Sequence, residues 1–404
     1  MKTNFVHEWG YEIYKGGWDV RSVVTMMPVT GTFLFFADAA VAKEVSTYRA
    51  RFPKPMIFYE PLTFFGQNIV ASEGEQWKKY RKISAPAFTE ITLFVISCAG
   101  FGHSISWAND SIPSGHKMSF KDAMQIMSIT KRTKNAGQAL VELKTYMSEM
   151  IHGRLHSDKV ERHDLFSILL EENSQHLDSA ALTDDELFGN IFIYLVAGHE
   201  TTSHSMAFAL GLLALYPDEQ EKLLQQIRSV LKDGLPPTYE DVSSLTYALA
   251  VFYETLRLYP PVGAVPKISE EDTSLTITNA EGQVKRVPVP KGIYIDIHIA
   301  GIHKNPRYWS DPEMFKPARF LESNWPRDAF FPFSAGSRAC LGRRFAEIEA
   351  IAALTLFILK YEVTIKEEPQ FANETFEERK ARVMASDFGI SLTPLRVPLV
   401  FTRR

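Results

Sequence analysis

Cysteine is almost absent from this chain of 404 residues, in which Cys98 and Cys340 are the only two. Two cysteines do not make a disulfide framework, so the sequence does not fit a small secreted scaffold and suits a reducing compartment. The chain also lacks an apolar run of eighteen residues and a secretory signal, the patterns of a membrane span and of export. Internal repeats, low-complexity tracts, a phosphate-binding glycine loop and a basic stripe for nucleic acid are absent as well.

The composition is that of a globular protein with a large core. Hydrophobic residues make up 45% of the chain and charged residues 23%, with a formal net charge of −4, and there is no signature of disorder. Pro217 predicts the start of a helix that carries Leu223 and Ile227 on one face. The segments Thr276–Thr278 and Val284–Val289 predict a hairpin.

One ten-residue run carries most of the chemical information. Residues 333–342 read FSAGSRACLG and contain Cys340 between Gly336 and Gly342. Glycines let a backbone lie close to something flat, and Arg338 can hold an anionic group. A thiolate that binds iron must be sheltered and hydrogen-bonded, which the two glycines would allow, with Phe333 packed beside it. The alternative is that Cys340 is an ordinary small buried residue, as Cys98 is expected to be.

These positions resemble the FxxGxRxCxG signature of the cytochrome P450 family, and every fixed position agrees. The resemblance implies heme b (iron protoporphyrin IX) with Cys340 as the axial iron ligand. It implies that Arg338 lies near a haem propionate and that Phe333, Gly336 and Gly342 contact the cofactor. The expected fold is the P450-like one, mainly α with small β-sheets, in which a long central helix passes over the haem and the thiolate loop lies beneath.

A second segment, AGHETT from Ala197 to Thr202, resembles the family's AGxET stretch. Thr183 and Glu186 predict a capping box at the start of its helix. The resemblance places Ala197 at the haem. A hydroxyl beside a carboxylate can relay protons to dioxygen as it is split, so Thr201 is the expected hydroxyl and Glu200 the expected acid. We also expect the mid-helix threonines to loosen the hydrogen-bond ladder of the helix.

A zinc site is an alternative interpretation of the same segment, because His199 and Glu200 are followed by His204. The zinc-protease pattern needs its second histidine four residues after the first, where this chain has Ser203. His204 is therefore rotated by about 140° from His199 around the helix. The sequence does not favour a zinc protease.

Three charged residues predict a structural cluster. Glu254 and Arg257 form an ExxR pattern on a helix that must end before Pro260. Arg319 lies in a segment that resembles the family's PxRF stretch. The resemblance implies that the three side chains form a buried charge cluster that holds the loop before Cys340.

A WxxxR pattern supplies the remaining candidates for cofactor binding. Trp77 and Arg81 lie four residues apart and so share one face of a predicted short helix. In relatives these two residues reach a haem propionate. Lys267 occupies a position where many relatives have another propionate-binding arginine, although lysine lacks the bidentate fork.

The resemblance extends over nearly the whole chain and is strongest to eukaryotic microsomal-type members, fungal ones in particular. We therefore expect a single haem-thiolate monooxygenase domain over residues 1–404. Region 88–135 is expected to be shortened, because the interval from Arg81 to Thr201 is shorter than that from Thr201 to Cys340. The N-terminal anchor of microsomal relatives is expected to be absent, so membrane association stays open, with the cytoplasmic face of the endoplasmic reticulum implied by the resemblance.

The implied reaction is a monooxygenation that inserts one oxygen atom from dioxygen into an apolar organic substrate. The chain has no flavin or iron–sulfur segment, so the electrons are expected from an NADPH-dependent cytochrome reductase. The cations expected to dock that reductase are Lys78, Lys79, Lys82, Arg343 and Arg344. Two alternatives stay open: a haem-thiolate enzyme that rearranges its substrate or uses peroxide, and a truncated haem-binding or inactive product.

Overall fold

The computed structural model describes residues 5–25, 31–91, 112–120, 122–123, 126, 135–156, 165–175, 181–232 and 236–404. The predictions for Cys98 and for most of region 88–135 lie outside these residues. The helices run in this order: α1 Phe5–Trp9, α2 Ala39–Thr47, α3 Gly74–Ile91, α4 Ala136–His156, α5 Leu165–Gln175, α6 Asp184–Leu215, α7 Pro217–Val230, α8 Thr246–Leu258, α9 Ile299–His303, α10 Arg343–Lys360 and α11 Phe376–Val383.

The strands form four small sheets. They are β1 Val20–Thr25, β2 Gly31–Phe36, β3 Val265–Ile268, β4 Thr273–Thr278, β5 Val284–Val289, β6 Tyr294–Ile297, β7 Tyr361–Ile365, β8 Ser386–Phe388, β9 Leu392–Pro394 and β10 Leu399–Arg403. The largest sheet has the order β1-β2-β6-β3, and the others pair β4 with β5, β7 with β10 and β8 with β9. The prediction of a mainly α fold with small β-sheets is confirmed.

The described residues divide into two compact units. The first comprises Met1–Pro55, Thr201–Arg343 and Glu349–Arg404, and the second comprises Met56–Glu200 and Arg344–Ile348. All four sheets belong to the first unit. The second unit contains α3, α4, α5 and the first half of α6, and α3 packs on α5 within it.

In the four-stranded sheet of the first unit, β6 lies between β2 and β3. β2 runs parallel to β6 with Phe33 opposite Tyr294, and β3 runs antiparallel to β6 with Lys267 opposite Ile295. Because side chains alternate along a strand, Asp296 points to the face opposite to that of Lys267. The rings of Phe33 and Tyr294 stack with their centroids 4.7 Å apart.

Helix starts follow the local sequence signals. Thr183 N–H donates to Glu186 Oε2 at 3.0 Å and Glu186 N–H donates to Thr183 Oγ1 at 3.3 Å, which confirms the predicted capping box of α6. Pro217 opens α7, whose Leu223 and Ile227 are fully buried, as predicted. The predicted hairpin is β4–β5.

The helices α8 and α3 agree with the sequence predictions to different degrees. The α8 helix ends at Leu258, before Pro260, as expected. The helix of Trp77 and Arg81 was expected to be short, but α3 has 18 residues and continues through Pro86. Among the described residues, no helix is both long and apolar enough to cross a bilayer.

Candidate functional site

Cys340 lies at the end of a tight loop that leads into α10. Its backbone N–H donates to the carbonyl of Phe333 at 2.8 Å, which closes the loop. A 3₁₀ turn over Gly336–Arg338 lies within it, and Ser334 takes φ +58°. The cysteine itself is exposed. A sulfur held at the surface by a closed loop is placed to bind an external partner.

The two glycines of this loop have different roles. Gly336 takes φ +68°, and a Cβ on it would lie 2.7 Å from the carbonyl oxygen of Ser46, at the end of α2. Glycine is thus required by backbone conformation and by a close approach to α2. Gly342 takes φ −85°, which any residue adopts, and it is the N-cap of α10. The expectation that Gly342, like Gly336, lets the backbone lie close to the cofactor stays a prediction.

The N-terminus of α10 makes the surroundings of Cys340 favourable to negative charge. Cys340 lies two residues before the N-cap of this 18-residue helix. The first N–H groups of a helix have no partner within it and carry partial positive charge, which lowers the cost of a nearby thiolate. The donor at this site is the sulfur of the exposed Cys340, which as a thiolate suits a soft metal ion such as haem iron.

The middle of α6 also presents an open surface. Ala197, Gly198 and His199 are exposed, although Ile191–Val196 just before them is largely buried. A Cβ added at Gly198 would meet no atom within 4 Å. An open stretch in the middle of a long apolar helix is unusual for a packed core, and it leaves space for a flat group. This face of α6 is therefore compatible with contact to a flat cofactor such as haem.

The expected proton-transfer residues follow this open stretch. Glu200 is 6% exposed and Thr201 is half-buried. The α6 helix continues through Thr201 and Thr202, so any loosening of its hydrogen-bond ladder there does not break the helix. The hydroxyl of Ser205 donates to the carbonyl of Thr201 at 2.7 Å. Ser205 was missed in the sequence, where the i, i+4 spacing of the two residues is the signal that could have identified it.

His204 has a structural partner. Its Nδ1 lies 2.9 Å from Oγ of Ser391, in the turn between β8 and β9. Among the described residues, no three His, Cys, Asp or Glu side chains come together in a way that could hold a metal ion. His204 thus ties α6 to the C-terminal hairpin.

Glu254, Arg257 and Arg319 come together as a buried cluster. Arg257 Nε lies 2.7 Å from Glu254 Oε2 and Arg319 Nε lies 3.2 Å from Glu254 Oε1, with the side chains of Glu254 and Arg257 fully buried. Arg257 also donates to the carbonyls of His303, Pro312 and Met314. The cluster therefore fixes the segment from α9 to Met314.

The remaining candidates lie on separate elements. Trp77, on α3, is 6% exposed and Lys267, on β3, is 4% exposed. Arg81 is half-buried on α3. Arg338 lies in the turn before Cys340. Lysines are rarely buried without a partner, so the depth of Lys267 indicates a specific role.

One of the predicted docking cations points inward in the second unit. Lys79 Nζ lies 2.8 Å from Glu186 Oε2, and both side chains are mostly buried. The hydroxyl of Tyr80 donates to the other oxygen of Glu186 at 2.8 Å. These contacts tie α3 to the first turn of α6. Lys79 therefore contributes less to a docking surface than its sequence position indicated.

Comparisons with known proteins identify the family. A family model described as Cytochrome P450 matches residues 113–386. The chain is 47% identical to Cytochrome P450 monooxygenase 124 of Postia placenta, over 96% of this chain and 86% of that protein. It is 26% identical to Cytochrome P450 monooxygenase ORF6 of Penicillium roqueforti, over 86% of this chain and 77% of that protein.

The fold agrees with these matches. A solved structure of a zebrafish cytochrome P450 with abiraterone superposes with a TM-score of 0.76 at 20% identity, covering 98% of this chain and 99% of that chain. The chain belongs to the cytochrome P450 family. Within that family it is a monooxygenase, and the family uses haem with a cysteine thiolate ligand, a redox partner and small-molecule substrates.

Proposed function

We propose that this chain inserts one oxygen atom from dioxygen into an apolar organic substrate, with Cys340 as the haem ligand. The observation that carries this proposal is the exposed Cys340 in a closed loop at the N-terminus of α10. A thiolate there is stabilised by the helix end and by the fixed backbone around it.

Several side chains are available to hold the cofactor. The proposed partners of its propionates are Trp77 and Arg81 on α3, Lys267 on β3 and Arg338 in the loop of residues 333–340, called the cysteine loop below. Each of them provides a donor or a positive charge. Phe333, Gly336 and Ala197 provide the apolar and small contacts. When bound, a thiolate-ligated haem supplies the activation of dioxygen.

Glu200 and Thr201 have the proposed task of moving protons. Glu200 is buried, and the next residue along the helix, Thr201, is half-buried. A hydroxyl can accept a proton from one side while it donates its own to the other, so Thr201 Oγ1 can pass on a proton that the Glu200 carboxyl supplies.

The test is the carbon-monoxide difference spectrum of the reduced protein. We expect the strongly red-shifted Soret band of thiolate ligation in the wild type and in Cys98→Ser, and its loss in Cys340→Ser. Cys98→Ser is the matched control because it removes the only other thiol. A wild-type spectrum typical of histidine-ligated haem, or a band that survives in Cys340→Ser, would contradict the assignment.

Electrons are proposed to come from an NADPH-dependent cytochrome reductase, with the protein at the cytoplasmic face of the endoplasmic reticulum membrane. Lys82 and Arg344 are exposed and available for an acidic partner, whereas Lys79 is paired with Glu186. Steady-state rates should therefore fall with rising salt when the reductase is limiting. Activity with peroxide alone and none with the reductase would favour the peroxide-using alternative.

A shortened region 88–135 stays part of the proposal. The alignment with the Postia placenta relative runs over 445 positions, more than the 404 residues of this chain. This supports internal gaps in the chain without locating them. Protein that binds haem but shows neither a substrate-induced spectral shift nor reductase-dependent oxidation would favour the truncated, inactive alternative.

A further inference from the structure

Arg343 connects three parts of the first unit. It is the first residue of α10, and its guanidinium carbon lies 5.4 Å from the ring centroid of Phe333. Its Nη2 also donates to the hydroxyl of Tyr253 at 3.2 Å. Tyr253 is 8% exposed on α8, next to Glu254 of the charge cluster. A single side chain thus joins the start of α10, the cysteine loop and the helix of the charge cluster.

The contact with Phe333 bears directly on Cys340. Phe333 supplies the carbonyl that accepts the backbone N–H of Cys340 at 2.8 Å. A guanidinium over a ring is attracted by the negative face of the ring, and it is planar and always charged, so it can hold both ring and hydroxyl in fixed positions. The orientation of Phe333 therefore fixes one of the two ends of the loop that presents the sulfur.

The neighbouring arginine has no comparable role. Arg344 Nη1 lies 3.7 Å from Glu347 Oε2, one helical turn further along α10, and half of its side chain is exposed. The two arginines have the same charge and adjacent positions. Within the described part of the chain, Arg343 contacts the cysteine loop and α8, whereas Arg344 contacts its own helix. Loss of either charge should affect reductase docking alike, but only the loss of Arg343 should loosen the loop.

We propose that Arg343 is a positioning residue for the Cys340 thiolate, in addition to the docking role that its sequence position suggests. This inference rests on the proposed function, because it takes Cys340 as the haem ligand. Without Arg343, the Phe333 ring and the loop gain freedom. The sulfur is then held less firmly in the position from which it would bind the haem, and loss of the thiolate ligand removes the red-shifted band.

The experiment measures how fast the reduced, carbon-monoxide-bound holoprotein loses its red-shifted band in moderate urea. We expect Arg343→Met to lose it about three to five times faster than the wild type, as loss of an exposed cation–π contact predicts. Arg343→Lys should lie between the two, since it keeps the charge without the planar fork. Arg344→Met should match the wild type.

Tyr253→Phe provides a second test of the inference if Arg343→Met does not fold. It keeps the aromatic packing and removes the oxygen that Arg343 contacts, so the band should again be lost faster than in the wild type. Equal rates for Arg343→Met, Arg344→Met and the wild type would overturn the inference, as would equal acceleration in both arginine variants, which would indicate charge alone. Absence of the red-shifted band from the wild type would instead contradict the proposed function.

Discussion

The backbone N–H of Phe331 donates to Nε2 of His303 at 2.9 Å, inside the protein. His303 is fully buried at the end of α9, and its own carbonyl accepts from Arg257. Because Nε2 accepts, the proton of the neutral ring must lie on Nδ1. Burial, and secondarily the charge of Arg257, lowers the pKa of His303 to about 3, which keeps the ring neutral. The histidine thus links the charge cluster to the chain that enters the cysteine loop.

Replacement of His303 tests this link. His303→Phe should lower the free energy of unfolding by about 1 to 3 kcal/mol, because the N–H of Phe331 is left buried without an acceptor. His303→Gln places a carbonyl oxygen near the position of Nε2 and should recover part of the loss. Urea unfolding curves give both values. Equal losses in the two variants would show that packing, and not the hydrogen bond, is responsible.

Asp296 should make stability depend on pH. It lies on β6, is 8% exposed, and its Oδ1 has no hydrogen-bond partner in the described part of the chain. Burial raises the pKa of its carboxyl from 3.8 to about 7. Between these values the folded state keeps a proton that the unfolded state loses, so stability falls as pH rises. Above pH 7 the ionised carboxylate costs up to about 4 kcal/mol.

Asp296→Asn should remove this cost. We expect the variant to be more stable than the wild type in urea at pH 8, and the difference to disappear as the pH approaches 4. Glu281→Gln, at an exposed position in the β4–β5 turn, should change stability little at either pH. A stability difference for Asp296→Asn that is the same at pH 4 and pH 8 would contradict the assignment.

Gly336→Ala should damage the cysteine loop through a clash. Both φ +68° and the 2.7 Å approach of a Cβ to the Ser46 carbonyl oppose a side chain there. Gly282→Ala is the matched control, since Gly282 takes φ +78° with no atom within 4 Å of its Cβ. Backbone strain alone costs about 1 to 2 kcal/mol in both. Haem content after purification should fall only in Gly336→Ala, and equal losses would rule out the contact with α2.

The charge cluster should respond strongly to loss of one member. Glu254→Gln leaves Arg257 buried without its counter-charge, which we expect to cost about 3 to 5 kcal/mol in urea unfolding. Asp311→Asn is the control: it removes the exposed partner of Lys316, and its unfolding midpoint should not move. A similar small effect in both variants would mean that the cluster is not essential to the fold.

Thr201→Ala tests proton transfer separately from cofactor binding. Turnover with dioxygen and the reductase should fall about 100-fold, which is typical of a lost acid–base group. The carbon-monoxide spectrum should stay red-shifted, because Cys340 is unchanged. Ser203→Ala, at an exposed position on the same helix, should keep its activity. Full activity in Thr201→Ala would remove this residue from the mechanism.

The features that the sequence predicts correctly join residues that are close together along the chain. The capping box of α6 and the pair Glu254 and Arg257 lie within one helical turn, so local geometry brings them together. The mainly α fold followed from the family resemblance. The approach of Ser46 to Gly336 and the bond from Phe331 to His303 join distant segments, and no periodicity encodes them. The N-cap position of Gly342 was not evident from the sequence either, because it depends on backbone angles.

The contact between Gly336 and α2 has a consequence for biosynthesis. The surface on which the cysteine loop rests, near residue 46, is synthesised before the loop itself, near residue 336. Chains are synthesised from the N-terminus, so α2 must wait for nearly three hundred further residues before its partner emerges. The loop can therefore pack on α2 and hold the cofactor only after residue 340 has been synthesised. A nascent chain that is stalled before that residue should carry no porphyrin.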